Sequence, residues 1–88
     1  MIDVAVLASG SGTDFQSIID ASENGEIDAN LSLLISNNPD AHCLERAKKH
    51  KIDHEVIDHR NKCREEHERE IADVIDDYNP DLIVLAGY

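Results

Sequence analysis

The sequence predicts an α/β fold, a Rossmann-like parallel sheet with the strand order 3-2-1-4. Three observations predict it. Four apolar, β-branched runs alternate with three segments of helical periodicity, in the order β-α-β-α-β-α-β. The last run, "DLIVLAG" (81–87), is apolar almost throughout, as strands buried on both faces of a parallel sheet are. A loop with two glycines, "SGSGTD" (9–14), links the first run to the first helical segment, the position at which doubly wound sheets bind ligands.

Each element follows from its residues. "IDVAVLA" (2–8) is β-branched and apolar, a strand. "FQSIIDAS" (15–22) sets Phe15, Ile18, Ile19 and Ser22 at helical spacing, three apolar residues and one small one on the inner face. Aspartate is a good N-cap, so Asp14 is expected to cap this helix. "LSLLIS" (31–36) is the second strand. "DAHCLERAKKH" (40–50), behind Pro39, puts Ala41, Leu44 and Ala47 on one face, with Asp40 as the expected cap. "HEVID" (54–58) is a short third strand. "REEHEREIADVIDDY" (64–78) brings Ile71, Val74, Ile75 and Tyr78 together at i, i+3, i+4 and i+7. No internal repeat, low-complexity tract or linker interrupts the pattern.

Length and charge bound the function. Eighty-eight residues allow one domain at most, and so short a chain buries only about 60–65% of its unfolded surface. The net charge is −11, from 19 acids against 8 bases. This disfavours nucleic acid and anionic membranes as partners, since both reward a basic face. The opening residues lack the charged-then-apolar pattern of a signal peptide, so none is expected, and no apolar run approaches the ~18 residues of a membrane span. A soluble, cytoplasmic protein is the expectation. Cys43 and Cys63 are too few for a disulfide framework and are expected to be free thiols.

The glycine loop carries the chemistry. Glycine permits backbone angles that other residues avoid. The first-turn amides of the following helix are unpaired, and the helix dipole adds partial positive charge. Together these favour an anion, with phosphate the usual occupant; a tight turn that binds nothing is the plainer alternative. The Walker pattern is excluded, because "GSGTDF" lacks its lysine. The dinucleotide fingerprint is disfavoured twice. Phe15 stands where a third small residue belongs, and the second strand ends in "ISNN" with no acid for a ribose hydroxyl. A small phosphorylated metabolite fits better than a nucleotide cofactor.

The residues also resemble a known family. "VLASGSGTDFQSIID" (6–20) is similar to the N-terminal segment of the phosphoribosylglycinamide formyltransferases, also called glycinamide ribonucleotide transformylases. The likeness continues through "ISNNPDAHCLERAKKHKI" (35–52), "REEHEREI" (64–71) and "NPDLIVLAGY" (79–88) and covers the whole chain. It implies a single partial domain over 1–88, the truncated N-terminal half of the formyltransferase fold. It implies transfer of a formyl group from 10-formyltetrahydrofolate to the amine of glycinamide ribonucleotide, in purine biosynthesis, with no metal. By the same resemblance Gly12, Thr13 and Asp14 hold the ribonucleotide phosphate, while Arg64, Leu85 and Tyr88 begin the folate pocket.

Two departures from the family matter. Its catalytic asparagine, histidine and aspartate lie downstream of residue 88, and the five histidines at 42, 50, 54, 59 and 67 do not match the catalytic one. The chain alone is therefore expected to hold no catalytic residue and to transfer no formyl group. The family usually has asparagine where this chain has Asp14. Two unit charges about 4 Å apart repel by ~1 kcal/mol in water and ~4 kcal/mol at an effective dielectric of 20, so weakened phosphate binding is expected.

Further expectations are smaller. Ending at the fourth strand would leave "LIVLAG" (82–87) as an apolar edge, which favours self-association or a separate C-terminal half. His59, Cys63 and His67 recur at four-residue intervals but lack a fourth ligand, a weak metal site. "ERAKKHK" (45–51) reads as one side of a solvated helix, and Glu65–Arg69 as an i, i+4 pair. A non-catalytic phosphometabolite-binding module and a subunit of a split formyltransferase remain as alternatives.

Overall fold

The computed structural model describes residues 2–10, 12–58 and 63–86. The elements run β1 (Ile2–Leu7), α1 (Thr13–Glu23), β2 (Ala29–Ser36), α2 (His42–Lys49), β3 (His54–Val56), α3 (Arg64–Tyr78) and β4 (Leu82–Leu85). All strand pairs are parallel, and the sheet order is β3-β2-β1-β4. This is the order the sequence predicts.

Alternation along β1 splits the core between two faces. Val4, Val6 and Ala8 pack with Phe15 and Ile19 of α1 and with Cys43, Leu44 and Ala47 of α2. Ala5 and Leu7 pack with Leu33 and Ile35 of β2 and with Ile57. Ile71, Val74, Ile75 and Tyr78 of α3 cover that second face, but no residue of α3 is fully buried. The α1/α2 face is thus the better sealed of the two.

Local chemistry sets several boundaries. The β1–β2 register shifts between Val4 and Ala5, where Ser32 is the extra residue and its hydroxyl donates to the Val4 carbonyl at 3.3 Å. Strand β2 begins at Ala29, paired with Ile2, two positions before the apolar pattern suggests. Ser22 fastens α1 to that start by donating to the Ala29 carbonyl at 2.7 Å.

Neither expected cap is used. Helix α1 begins at Thr13 with Gly12 as its N-cap residue, and no side chain caps it. The left-handed backbone of Gly12 turns the chain into the helix two residues early, which moves Asp14 into the first turn. Helix α2 has Ala41 at its N-cap position, again without a side-chain bond. Asn38 claims the preceding turn by accepting the Asp40 N–H on its Oδ1 at 3.0 Å, an Asx-type arrangement.

Strand β4 corrects the picture of a strand buried on both faces. Among the described residues it pairs with β1 alone, and Leu82 (49%), Ile83 (45%) and Leu85 (71%) are exposed. On α3 the ion pair is Arg64–Glu68 rather than Glu65–Arg69, one register earlier along an exposed face. Cys43 and Cys63 are free thiols, the first buried and the second exposed. His59 lies outside the described residues, and among those described no group of three or more His, Cys, Asp or Glu could hold a metal ion. No helix of the described residues is long and apolar enough to cross a membrane.

Candidate functional site

The carboxyl edge of the sheet has one switch point, between β1 and β4. Two backbone bonds prolong the pairing there. The Ala8 N–H donates to the Ile35 carbonyl at 3.0 Å, and the Ala86 N–H donates to the Leu7 carbonyl at 2.8 Å. Together they carry β1 straight into the glycine loop.

The two glycines of that loop differ. A Cβ on Gly10 would meet nothing within 4 Å. Gly12 is buried and has φ 77° and ψ 26°, the left-handed region. A Cβ on it would lie 2.5 Å from Cys43 Cβ, 2.9 Å from Cys43 Cα and 3.3 Å from Arg46 Cδ. Glycine is required here both for its backbone angle and because α2 passes directly over it. The Gly12 carbonyl accepts the Gln16 N–H at 2.8 Å and opens α1, while the Cys43 N–H reaches back to the Gly10 carbonyl at 3.4 Å.

Two helix N-termini therefore converge on the loop. The leading N–H groups of an α-helix have no partner inside it, and neither α1 nor α2 has a side-chain cap. Thr13 and Asp14 stand exposed in the first turn of α1. Asp14 is the only acid of that turn; it complements the helix dipole and repels an incoming anion.

Arg46 is the residue the sequence did not single out. Within "ERAKKHK" it looks like part of a solvated basic face, yet its side chain is half-buried against Gly12. Its Nη1 donates to Gln16 Oε1 at 3.1 Å. Gln16 Nε2 donates to Asp20 Oδ1 at 2.9 Å and meets His50 Nε2 at 3.4 Å. His50 Nδ1 lies 2.8 Å from Glu23 Oε2. A polar seam thus runs between α1 and α2, with Arg46 at its loop end.

The residues expected for the second ligand sit elsewhere. Arg64 opens α3, with its side chain 91% exposed and its Nε donating to Glu68 Oε1 at 3.0 Å. Leu85 pairs with Leu7 at the end of β4, which puts it on the α3 side of the sheet. Both belong to the carboxyl edge, on the face opposite α1. Tyr88 lies outside the described residues. An apolar groove of 320 Å³ between Ile2, Ile18, Ile27, Leu31, Leu82 and Val84 opens at the amino edge, away from the loop.

A family model described as formyl transferase matches residues 2–88. The chain belongs to the formyl transferase family. Among family members, it is 44% identical to the phosphoribosylglycinamide formyltransferase of Haemophilus influenzae, over all of this chain and 42% of that protein. It is 40% identical to the enzyme of that name from Escherichia coli K12, over 99% of this chain and 42% of the relative. The chain therefore spans less than half the length of these curated relatives and corresponds to their N-terminal part. Solved formyl transferases share the fold. Glycinamide ribonucleotide transformylase 1 from Geobacillus kaustophilus superposes with a TM-score of 0.94 at 37% identity, over 100% of this chain and 47% of that one. A formyltetrahydrofolate deformylase from Pseudomonas putida, at 23% identity, shares the fold alone, with a TM-score of 0.90 over 99% of this chain and 30% of that one.

Proposed function

We propose that this chain is the phosphate-holding N-terminal part of a phosphoribosylglycinamide formyltransferase. The enzyme passes a formyl group from 10-formyltetrahydrofolate to glycinamide ribonucleotide, in purine biosynthesis in the cytoplasm. The observation that carries the reading is the uncapped N-terminus of α1 at the switch point, entered through the left-handed Gly12. In this reading Gly12 shapes the loop, and the N–H groups of Thr13 and Asp14 hold the ribonucleotide phosphate. Arg64 and Leu85 begin the folate pocket from the other side of the sheet, and by the family resemblance Tyr88 belongs to the same pocket. The relatives' names support phosphoribosylglycinamide as the formyl acceptor; the folate donor and the absence of a metal follow from the family resemblance.

The chain supplies binding and not the chemical step. Formyl transfer builds charge on the carbonyl oxygen as the amine attacks, and preorganised donors stabilise that charge. In the family those donors are an asparagine and a histidine supported by an aspartate, all expected beyond residue 88. The 88 residues alone therefore bind and do not turn over. The C-terminal part of the family fold engages β4: among the described residues, exposed Leu82, Ile83 and Leu85 lie on a sheet edge that accepts another strand. In the 88-residue chain by itself, the edge of β4 (Leu82–Leu85) pairs with a second copy.

A formyl-transfer assay on the purified chain, with both substrates, tests the reading. The expected result is no turnover alone and measurable turnover once the C-terminal remainder of the Escherichia coli relative is added. Turnover by the 88 residues alone, lost in Gly12→Val, would contradict it.

A further inference from the structure

We propose that Arg46 is the positioning cation of the β1–α1 loop: held in place by Gln16, it biases the loop toward a doubly ionised phosphate ester. This rests on the reading of Gly12, Thr13 and Asp14 as a phosphate loop.

Arg46 reaches the loop from a different helix, and both ends of its side chain are fixed. Its stem lies over Gly12, with Cδ 3.3 Å from where a Cβ would stand. Its head donates to Gln16 Oε1 at 3.1 Å. Gln16 is anchored in turn by Asp20 and His50. A guanidinium held this way loses little further entropy when an anion arrives. Lysine would keep the charge but not the planar fork that bonds Gln16 while the stem covers Gly12.

The placement is electrostatically unusual. Gln16 lies four residues beyond the Gly12 N-cap, so Arg46 sits beside the positive pole of α1. A cation there is disfavoured by the helix dipole. An anion docked on the first-turn amides reverses the sign of that interaction. Arg46 in turn offsets the repulsion that the anion meets from Asp14, the acid of the same turn. The carboxylates of the seam, Asp20 and Glu23, are exposed and lie at least one turn farther along α1.

A phosphate monoester passes from one to two negative charges near pH 6, which gives the test its handle. Ribose 5-phosphate is titrated calorimetrically into the 88-residue chain at pH 5.0 and 7.5, each at two salt concentrations. Sulfate, a dianion at both values, controls for the titratable groups of α1 and of α2 and its C-cap: Asp14, Asp20, Glu23, Glu45, His42 and His50. The unmodified chain is expected to bind. Arg46→Gln is expected to bind about tenfold more weakly at pH 7.5, a change of ~1.4 kcal/mol. Its loss at pH 5.0 and its salt dependence are expected to be smaller. Gln16→Leu, which keeps the charge but releases it, falls between the two.

Other outcomes overturn the assignment. Equal losses at both pH values with an unchanged salt slope mean that Arg46 only packs. Wild-type affinity in Arg46→Gln removes Arg46 and leaves the phosphate loop standing. No binding by the unmodified chain removes the loop reading and Arg46 with it. If Arg46→Gln loses the amide dispersion of a folded chain, Gln16→Leu decides: a pH-dependent loss supports the assignment, and unchanged affinity overturns it.

Discussion

Replacing Gly12 by alanine adds one methyl group at the tightest of the described glycines. The added carbon would stand 2.5 Å from Cys43 Cβ and 2.9 Å from Cys43 Cα. Ordinary carbon contacts lie at about 3.5–4.0 Å, so α2 must retreat by about 1 Å or α1 must start differently. The second obstacle is a helix backbone atom, which a rotamer change cannot move. A left-handed backbone costs a non-glycine residue about 1–2 kcal/mol, and overpacking typically adds 1–3 kcal/mol, about 2–5 kcal/mol together. Each kcal/mol lowers the melting temperature of a domain this size by about 4–8 °C, so a fall of at least ~8 °C is expected. Thermal unfolding followed by circular dichroism measures it. Gly10→Ala is the matched control, since a Cβ there meets nothing and the change should stay within about 0.5 kcal/mol. In Gly12→Ala/Cys43→Gly the nearest obstacle is gone, and a favourable coupling of about 1 kcal/mol is expected. Equal tolerance of alanine at 10 and 12, or no coupling to Cys43, would refute the reasoning.

Three further outcomes follow from the same geometry. Asp14→Asn should bind ribose 5-phosphate several-fold more tightly, because it removes a repulsion worth ~1 kcal/mol in water at about 4 Å, while lowering helix stability by about 0.3–1 kcal/mol; calorimetry and thermal melts read the opposite signs. Burial, followed by the Asp53 carboxylate and its hydrogen bond, raises the Tyr78 phenol above its ordinary value of 10.0. The folded chain thus holds that proton more tightly than the unfolded one, so the contribution is intact below pH 10 and is lost as pH rises through the folded value; Tyr78→Phe should flatten that alkaline loss in denaturant melts. Ile83→Lys places a charge on the exposed edge strand and should shift the chain toward monomer in light scattering at high concentration, with unchanged mass in both forms counting against association through β4.

What the sequence made legible was what depends on local pattern. Helix α3 spans 64–78, as the spacing of Ile71, Val74, Ile75 and Tyr78 indicates. The parallel sheet follows from the alternation of elements, and its order is the doubly wound one. The site was legible only in outline. The loop and its glycines stand out in "SGSGTD", but the reason Gly12 must be glycine lies in Cys43, on a different helix. Arg46 was hidden for the same reason: among lysines and histidine it looks solvated, and only the packing of α2 on α1 turns it toward the loop. The capping rules misplaced the start of α1 because a left-handed glycine can begin a helix without a side-chain cap. They missed Asn38 because its Asx turn competes with a cap from Asp40.

The central claim is that the β1–α1 loop holds the phosphate of glycinamide ribonucleotide. Amide NMR spectra of the 88-residue chain during titration with that ligand test it most directly. The account predicts a dispersed spectrum with shifts confined to residues 10–15 and to Arg46 and Gln16 beside them. A dispersed spectrum in which those amides stay still at saturating ligand would contradict it.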